Sequence, residues 1–409
     1  MKQYKHMRYL GKHMTYLGIL MLAGLTSCES NDSPIQHADN YSYITFSAQA
    51  EQVGTRTNPY EAYDPARHPL TMGAFGYHDI ASYAALSATS NDAQLAKTTR
   101  ASYTPDPNPI FNNEVIKYSA PEKAWSSASR KRWDEYRGAK NFDFFAYMPQ
   151  NIGSSISRTA TDTYTLSVPF SMPADTHILF EAQQPLAPIV CAKPEHKEGT
   201  TAGGDEFTFE RVIKMQFDQT LTAYRLLFRL DSKMGALRQF RIHSVKLSGD
   251  IATSGTVSRT YQWKGSEWQA GDITWSNLTR QTFNETNFVN IPYANTASGS
   301  AKLYNDEAQT LLVTSAGYTQ WGEAFYCIPD ASFLPTITVN YDVEFVAEDG
   351  ETVITRKDVT SSIVLNKTNF SGLTAGGIAM INPVRILIQP RYLYVMADQD
   401  AYTGHLLVE

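Results

Sequence analysis

Few side chains in this 409-residue chain are spaced so that they could do chemistry together. Cys191 and Cys327 each lack a second Cys or a His at zinc-ligand spacing, so no metal site follows from them. In an oxidising compartment they could form one disulfide, or they stand as two separate buried thiols; spacing alone does not choose. The nine His are scattered: His6 and His13 sit in the N-terminal basic stretch, and His177, His196, His243 and His405 lack partners at useful spacing. They read as surface or internally satisfied residues. Asp398-Gln-Asp400 offers two carboxylates, but an EF-hand loop needs more, with a central Gly and a closing Glu. It reads as a solvated turn. His-Glu-x-x-His, Gly-x-Ser-x-Gly, a P-loop and a Gly-x-Gly-x-x-Gly after a strand are all missing from the sequence. The expectation is no enzyme, no cofactor and no metal. Trp263, Trp268 and Trp275 fall within one or two hairpins. Stacked indoles there would make a platform for sugar rings, whereas sandwich core and cross-strand packing is the plainer and favoured role.

Cys28 has a setting of its own. An apolar run of about nine residues precedes Leu25-Thr26-Ser27-Cys28, and Lys2, Lys5, Arg8 and Lys12 come before it without an acidic residue. The run is too short to cross roughly 30 Å of hydrocarbon as a helix, so it reads as a cleaved secretory signal covering residues 1–27. Leu-Thr-Ser-Cys resembles the bacterial lipobox, which implies a diacylglyceryl group on Cys28 and attachment to a membrane after cleavage. The next residues, 28–40, are polar, contain Pro34 and have no hydrophobic period, as expected of a flexible tether. Glu29 and Asp32 are similar to surface-export signals of lipoproteins in Bacteroides-like bacteria.

The roughly 380 residues after Cys28 exceed one core, so two domains are expected. Aromatic residues are 12% and charged residues only 19%, which suits strands with amphipathic faces better than helical bundles. A net charge of −6 spread along the chain lacks the basic footprint that nucleic acid requires. Ile44, Phe46 and Ala48 alternate with Thr45 and Ser47 in a first strand. Residues 51–59, with Gly54-Thr-Arg56, are polar and turn-forming, and hence exposed. Residues 142–147 form an aromatic strand stopped by Pro149. Residues 193–206 show no apolar face and are expected to link an N-terminal domain, 41–192, to a C-terminal domain, 207–409. Residues 221–230 fit a strand or a short helix, and residues 261–268 a hairpin around Lys-Gly-Ser. Near the end, Ile386, Ile388, Tyr392, Tyr394 and Met396 share one face, interrupted by Pro390. Many short alternating strands with polar turns predict an all-β chain of β-sandwich modules.

Cys28, the Ile44-Thr-Phe-Ser strand, Gly54-Thr-Arg56 and the aromatic strand occur in the order seen in fimbrillins, the type V pilus subunits of Bacteroidales. The 217–222 run Phe-Asp-Gln-Thr-Leu-Thr is similar to their Phe-x-His-x-Leu-(Ser/Thr) block, with Gln219 in place of His. Residues 390–404 are similar to the tail of some members. The resemblance implies two transthyretin-like sandwiches, lipoprotein export to the outer membrane and cell surface, and polymerisation by strand exchange. On that basis Arg56 is the expected processing site, and Ile386, Ile388, Tyr392, Tyr394 and Met396 are the donor-strand candidates. The partners are other pilin subunits, the outer membrane through the lipid, and a trypsin-like surface protease. The alternative is a monomeric surface lipoprotein that binds glycans.

Overall fold

The structure is a computed structural model. It describes residues 43–51, 60–66, 68–78, 108–136, 139, 141–160, 162–198, 200–202, 206–208, 212–234, 238–294, 303–304, 310–347, 349–366, 381–390 and 404–408. The expected all-β, sandwich-like architecture is present. Among these residues the only helical elements are the short 3-10 turns Trp133–Tyr136, Glu181–Leu186 and Ser232–Met234.

The first strands are β1 (Thr45–Glu51), β2 (Tyr60–Ala62), β3 (Thr71–His78), β4 (Phe111–Ser119), β5 (Ala124–Ser127) and β6 (Asn141–Met148). Next come β7 (Ser155–Ala160), β8 (Thr163–Ser171), β9 (Leu179–Phe180), β10 (Ile189–Lys193) and β11 (Glu195–Glu198). A small ribbon of β12 (Thr200–Ala202) and β13 (Glu206–Thr208) leads to β14 (Val212–Gln219). One sheet runs β10-β14-β1-β5-β4-β3-β6-β11, and because β10 also pairs with β6 the path closes on itself. Every residue of β6 is buried. Phe144 packs on Phe46, Phe111 and Trp133 inside the closed sheet, while Phe145 packs on Tyr164, Tyr261 and Trp268 outside it. An almost continuous apolar run is what a strand covered on both faces requires.

The later strands are β15 (Thr222–Leu230), β16 (Arg238–Trp263), β17 (Trp268–Phe283), β18 (Val289–Ile291), β19 (Tyr293–Ala294) and β20 (Leu303–Tyr304). They are followed by β21 (Leu311–Val313), β22 (Thr319–Cys327), β23 (Thr336–Val346), β24 (Thr352–Val364), β25 (Ile381–Pro390) and β26 (Gly404–Val408). Residues 221–230, ambiguous in sequence, are therefore strand. A sheet in the order β26-β25-β15-β22-β9 shares a second core with β24, β23 and the first half of β16. Leu226, Phe228, Val384 and Ile386 come from one side, and Phe240, Ile242, Val339 and Tyr341 from the other.

β16 joins the two cores. Its residues 238–248 pair with β23, and its residues 254–262 pair with β8 in the layer that covers β6. The expected hairpin at 261–268 closes it onto β17, with Trp263 opposite Trp268 and Gly265 at φ +75. Residues 193–206, expected as a linker, include β11, which pairs with β6. Beyond them, β14 returns to the first sheet and lies parallel to β1. The two cores thus interleave along the chain, because alternation sets which face a residue takes and not which sheet its strand joins.

Candidate assembly site

β1 is an interior strand. On one side it runs parallel to β14, from Thr45 opposite Val212 to Ala50 opposite Phe217. On the other side, Phe46 stands opposite Trp125 of β5, Ile44 N donates to Lys131 O at 2.9 Å, and residues 49–51 pair with β2. Ile44, Phe46, Ala48 and Ala50 are buried, and the Phe46 ring lies 5.6 Å from Phe111 and 6.3 Å from Phe144. Removing β1 would leave two rows of backbone groups without partners and an open apolar slot. The chain leaves β1 at Glu51 and re-enters the sheet at Tyr60, which stands opposite Glu51. Arg56 belongs to the segment between them and lies outside the described residues, as do residues 1–42 with Cys28.

The donor candidates divide. Ile386 and Ile388 are fully buried in the second core on β25, which lies between β15, parallel to it, and β26, antiparallel to it. β26 is the edge strand of that sheet. Tyr392, Tyr394 and Met396 lie outside the described residues. Pulling Ile386 and Ile388 out would expose two large aliphatic side chains at about 1.5–3 kcal/mol each, and would strip β15 of a partner. Releasing β26 breaks a single hydrogen-bonded ladder, the one to β25, together with its packing against β24.

The tryptophans are not an open platform. Trp263 and Trp268 belong to the first core with ring centroids 5.6 Å apart, and Trp268 also meets Phe145 at 5.2 Å and Tyr164 at 5.6 Å. Trp268 Nε1 donates to Asp143 Oδ1 at 2.9 Å, and His196 Nδ1 lies 2.9 Å from the same oxygen. His196 in turn packs edge-on against Trp263 at 4.5 Å. Trp275 is half-buried and donates to Thr220 O at 2.9 Å. The buried Asp143–His196 pair was not legible in sequence, since the two residues stand 53 positions apart and meet only through the β6–β11 pairing. A second polar cluster ties β16 to the first sheet. The bulge between Cys191 and Lys193 frees Cys191 O to accept from the Tyr261 hydroxyl at 2.7 Å and Arg259 Nη1 at 3.2 Å, and Arg259 also pairs with Asp218 at 2.7 Å. Among the described residues no group of three or more His, Cys, Asp or Glu could hold a metal ion.

The fold is thus that of an all-β, sandwich-type chain with one interior strand that begins the described sequence and one edge strand that ends it. Solved structures with which it shares similarity include fimbrial and candidate cell adhesion proteins. A fimbrial protein from Bacteroides vulgatus is 15% identical, with 89% of this chain and 98% of that one covered at a TM-score of 0.45. A candidate cell adhesion protein from Bacteroides ovatus is 12% identical over 90% and 97% of the two chains, TM-score 0.36. One from Parabacteroides distasonis is 7% identical over 89% and 98%, TM-score 0.36. No family model matches the chain, and no curated protein matches it.

Proposed function

We propose that the chain is a structural subunit of a cell-surface fimbria, shaft or tip, that polymerises by strand exchange and supports adhesion. The observation that carries this reading is the position of β1. It seals the first core from an interior place in the sheet, yet its link to the following strand passes through the segment that holds Arg56. Cleavage at Arg56 by a trypsin-like surface protease leaves β1 held by non-covalent contacts alone. Its loss opens a slot between β14 and β5 that a strand from a neighbouring subunit fills by β-augmentation. β26 is the element suited to donation, because it holds an edge of its sheet with one ladder partner, whereas Ile386 and Ile388 are fixed in the second core. In this reading the lipid on Cys28 holds the precursor at the outer membrane until the cut releases it.

The test uses Arg56→Ala and a deletion of residues 404–409, each run on gels without boiling. A deletion beginning at Val384 would remove second-core residues and confound folding with assembly. Both variants are expected to give stable monomers without ladders of heat-resistant multimers, and the wild-type polymer is expected to start at Thr57 by N-terminal sequencing. Normal ladders from either variant would sink the strand-exchange reading.

A further inference from the structure

From the outer face of the layer that covers β6, we infer that this chain carries a binding site for a neutral, hydroxyl-rich glycan. Tyr164, Leu166 and Val168 of β8, and Val257 and Tyr261 of β16, point into the first core. By strand alternation, the residues between them point outward. Register then assembles a cross-strand row, Ser155–Ser167–Ser258–Thr274, from four neighbouring strands. Ser167 and Ser258 Oγ atoms lie 3.2 Å apart, and in the next row the Thr165 and Thr260 hydroxyls lie 3.0 Å apart. The Ser155–Ser167–Ser258–Thr274 row contains no ionisable side chain; the exposed Asp272 stands beyond it, at the bulge opposite Thr260. The one cation interleaved on β16, Arg259, is drawn inward to Asp218 and Cys191 O.

This hydroxyl face runs into a cleft of about 480 Å³, within the roughly 300–1,000 Å³ of small-molecule sites. Its lining includes Asn151, Pro169, Ser171, Ser254, Thr256 and Asn277, and no charged group. The side chains of Ser171, Ser254, Thr256 and Asn277 form no hydrogen bond with any described residue, so their donors and acceptors are free for a ligand. Asn277 sits at φ +52 in an irregular stretch of β17, which lifts its amide out of the alternation.

The wall opposite Asn277 is built rigidly. Asn151 Nδ2 donates to Pro169 O at 3.0 Å, its Oδ1 accepts from Gly153 N at 2.8 Å, and its carbonyl accepts from Asn113 Nδ2 at 2.9 Å and the Tyr147 hydroxyl at 2.6 Å. Held by these bonds, the loop carries Ile152, the residue after Asn151, at 93% exposure. Hydroxyl and amide groups on the floor, with the Pro169 ring at the side, match the alternation of hydroxyl and C–H surface on a sugar ring. The absence of charge selects against sulfated, phosphorylated or uronate-rich chains. Neither β1 nor β26 lines the cleft, so the site stands apart from strand exchange.

The experiment measures binding of the full chain to immobilised dextran, laminarin and mannan, with heparin and polygalacturonate as anionic comparators. Binding to at least one neutral polysaccharide is expected, unaffected by added salt. Thr256→Val and Asn277→Gly, the latter keeping the positive φ, are each expected to weaken it about tenfold with an unchanged thermal midpoint. Three outcomes overturn the inference: no neutral polysaccharide binds, the anionic chains bind better in a salt-dependent way, or the variants reduce self-association while sugar binding persists. The last would assign the face to a second copy of the chain.

Discussion

Trp268→Phe separates a buried aromatic cluster from an exposed platform more cleanly than any other single change. Trp268 is 4% exposed, and its Nε1 donates at 2.9 Å to Asp143, which is fully buried. Phenylalanine keeps one ring among Phe145, Tyr164 and Trp263 but removes the donor and part of the volume. Losing a hydrogen bond to a charged group costs about 1.5–3 kcal/mol. The incompletely filled space adds about 1 kcal/mol, by analogy with core truncations. The expected total is about 2.5–4 kcal/mol, or a fall in thermal midpoint of roughly 3–5 °C at about 2.1 cal/mol/K of unfolding entropy per residue over the mature chain. Urea titration followed by far-UV circular dichroism would read it, alongside Asp143→Asn and the double variant. Because the two side chains touch, the double variant should fall short of additivity by about 1 kcal/mol or more. A loss below about 0.5 kcal/mol, as surface substitutions give, or strict additivity, would refute the buried-cluster assignment.

Two further outcomes follow from the same core. A Cβ added at Gly73 would lie 2.3 Å from Tyr147 ring atoms, and that ring is fully buried with its hydroxyl bonded to Asn151 O, so Gly73→Ala is expected to cost about 2–3 kcal/mol in a urea titration, whereas a neutral effect would mean that the Tyr147 ring can move. Burial pushes the Cys191 thiol up to about 12, partly countered by the nearby Arg259, and burial pushes Cys327 higher still, so both stay protonated at neutral pH. Iodoacetamide should leave both unmodified in native protein and label both in guanidinium, as peptide mapping would show; labelling of either in native protein would contradict its burial.

Period-two alternation made most of the strands legible. Ile44, just before β1, and Phe46 and Ala48 within it face the core as their spacing requires, and the aromatic run at 142–147 is the doubly covered β6. The hairpin at Trp263 and Trp268 was readable because Lys-Gly-Ser supplies the turn locally. The same pattern placed Ile386 and Ile388 on one face of a strand but left open whether that face belonged to a spare donor strand or to a filled core.

Partner choice is what the tertiary structure decided. β14 lies parallel to β1 across more than 160 residues of sequence, β25 lies parallel to β15, and β16 serves both cores as one strand. Such pairings depend on which apolar faces close on one another, a long-range condition that local spacing does not encode. The composition of single strands likewise hid the hydroxyl rows, because Ser155, Ser167, Ser258 and Thr274 become neighbours only once register aligns four strands. The sequence alone determined the faces of the strands, since each side chain's direction is fixed by its own backbone; the sheets, the shared strand and the cleft exist only because distant faces had to be buried together.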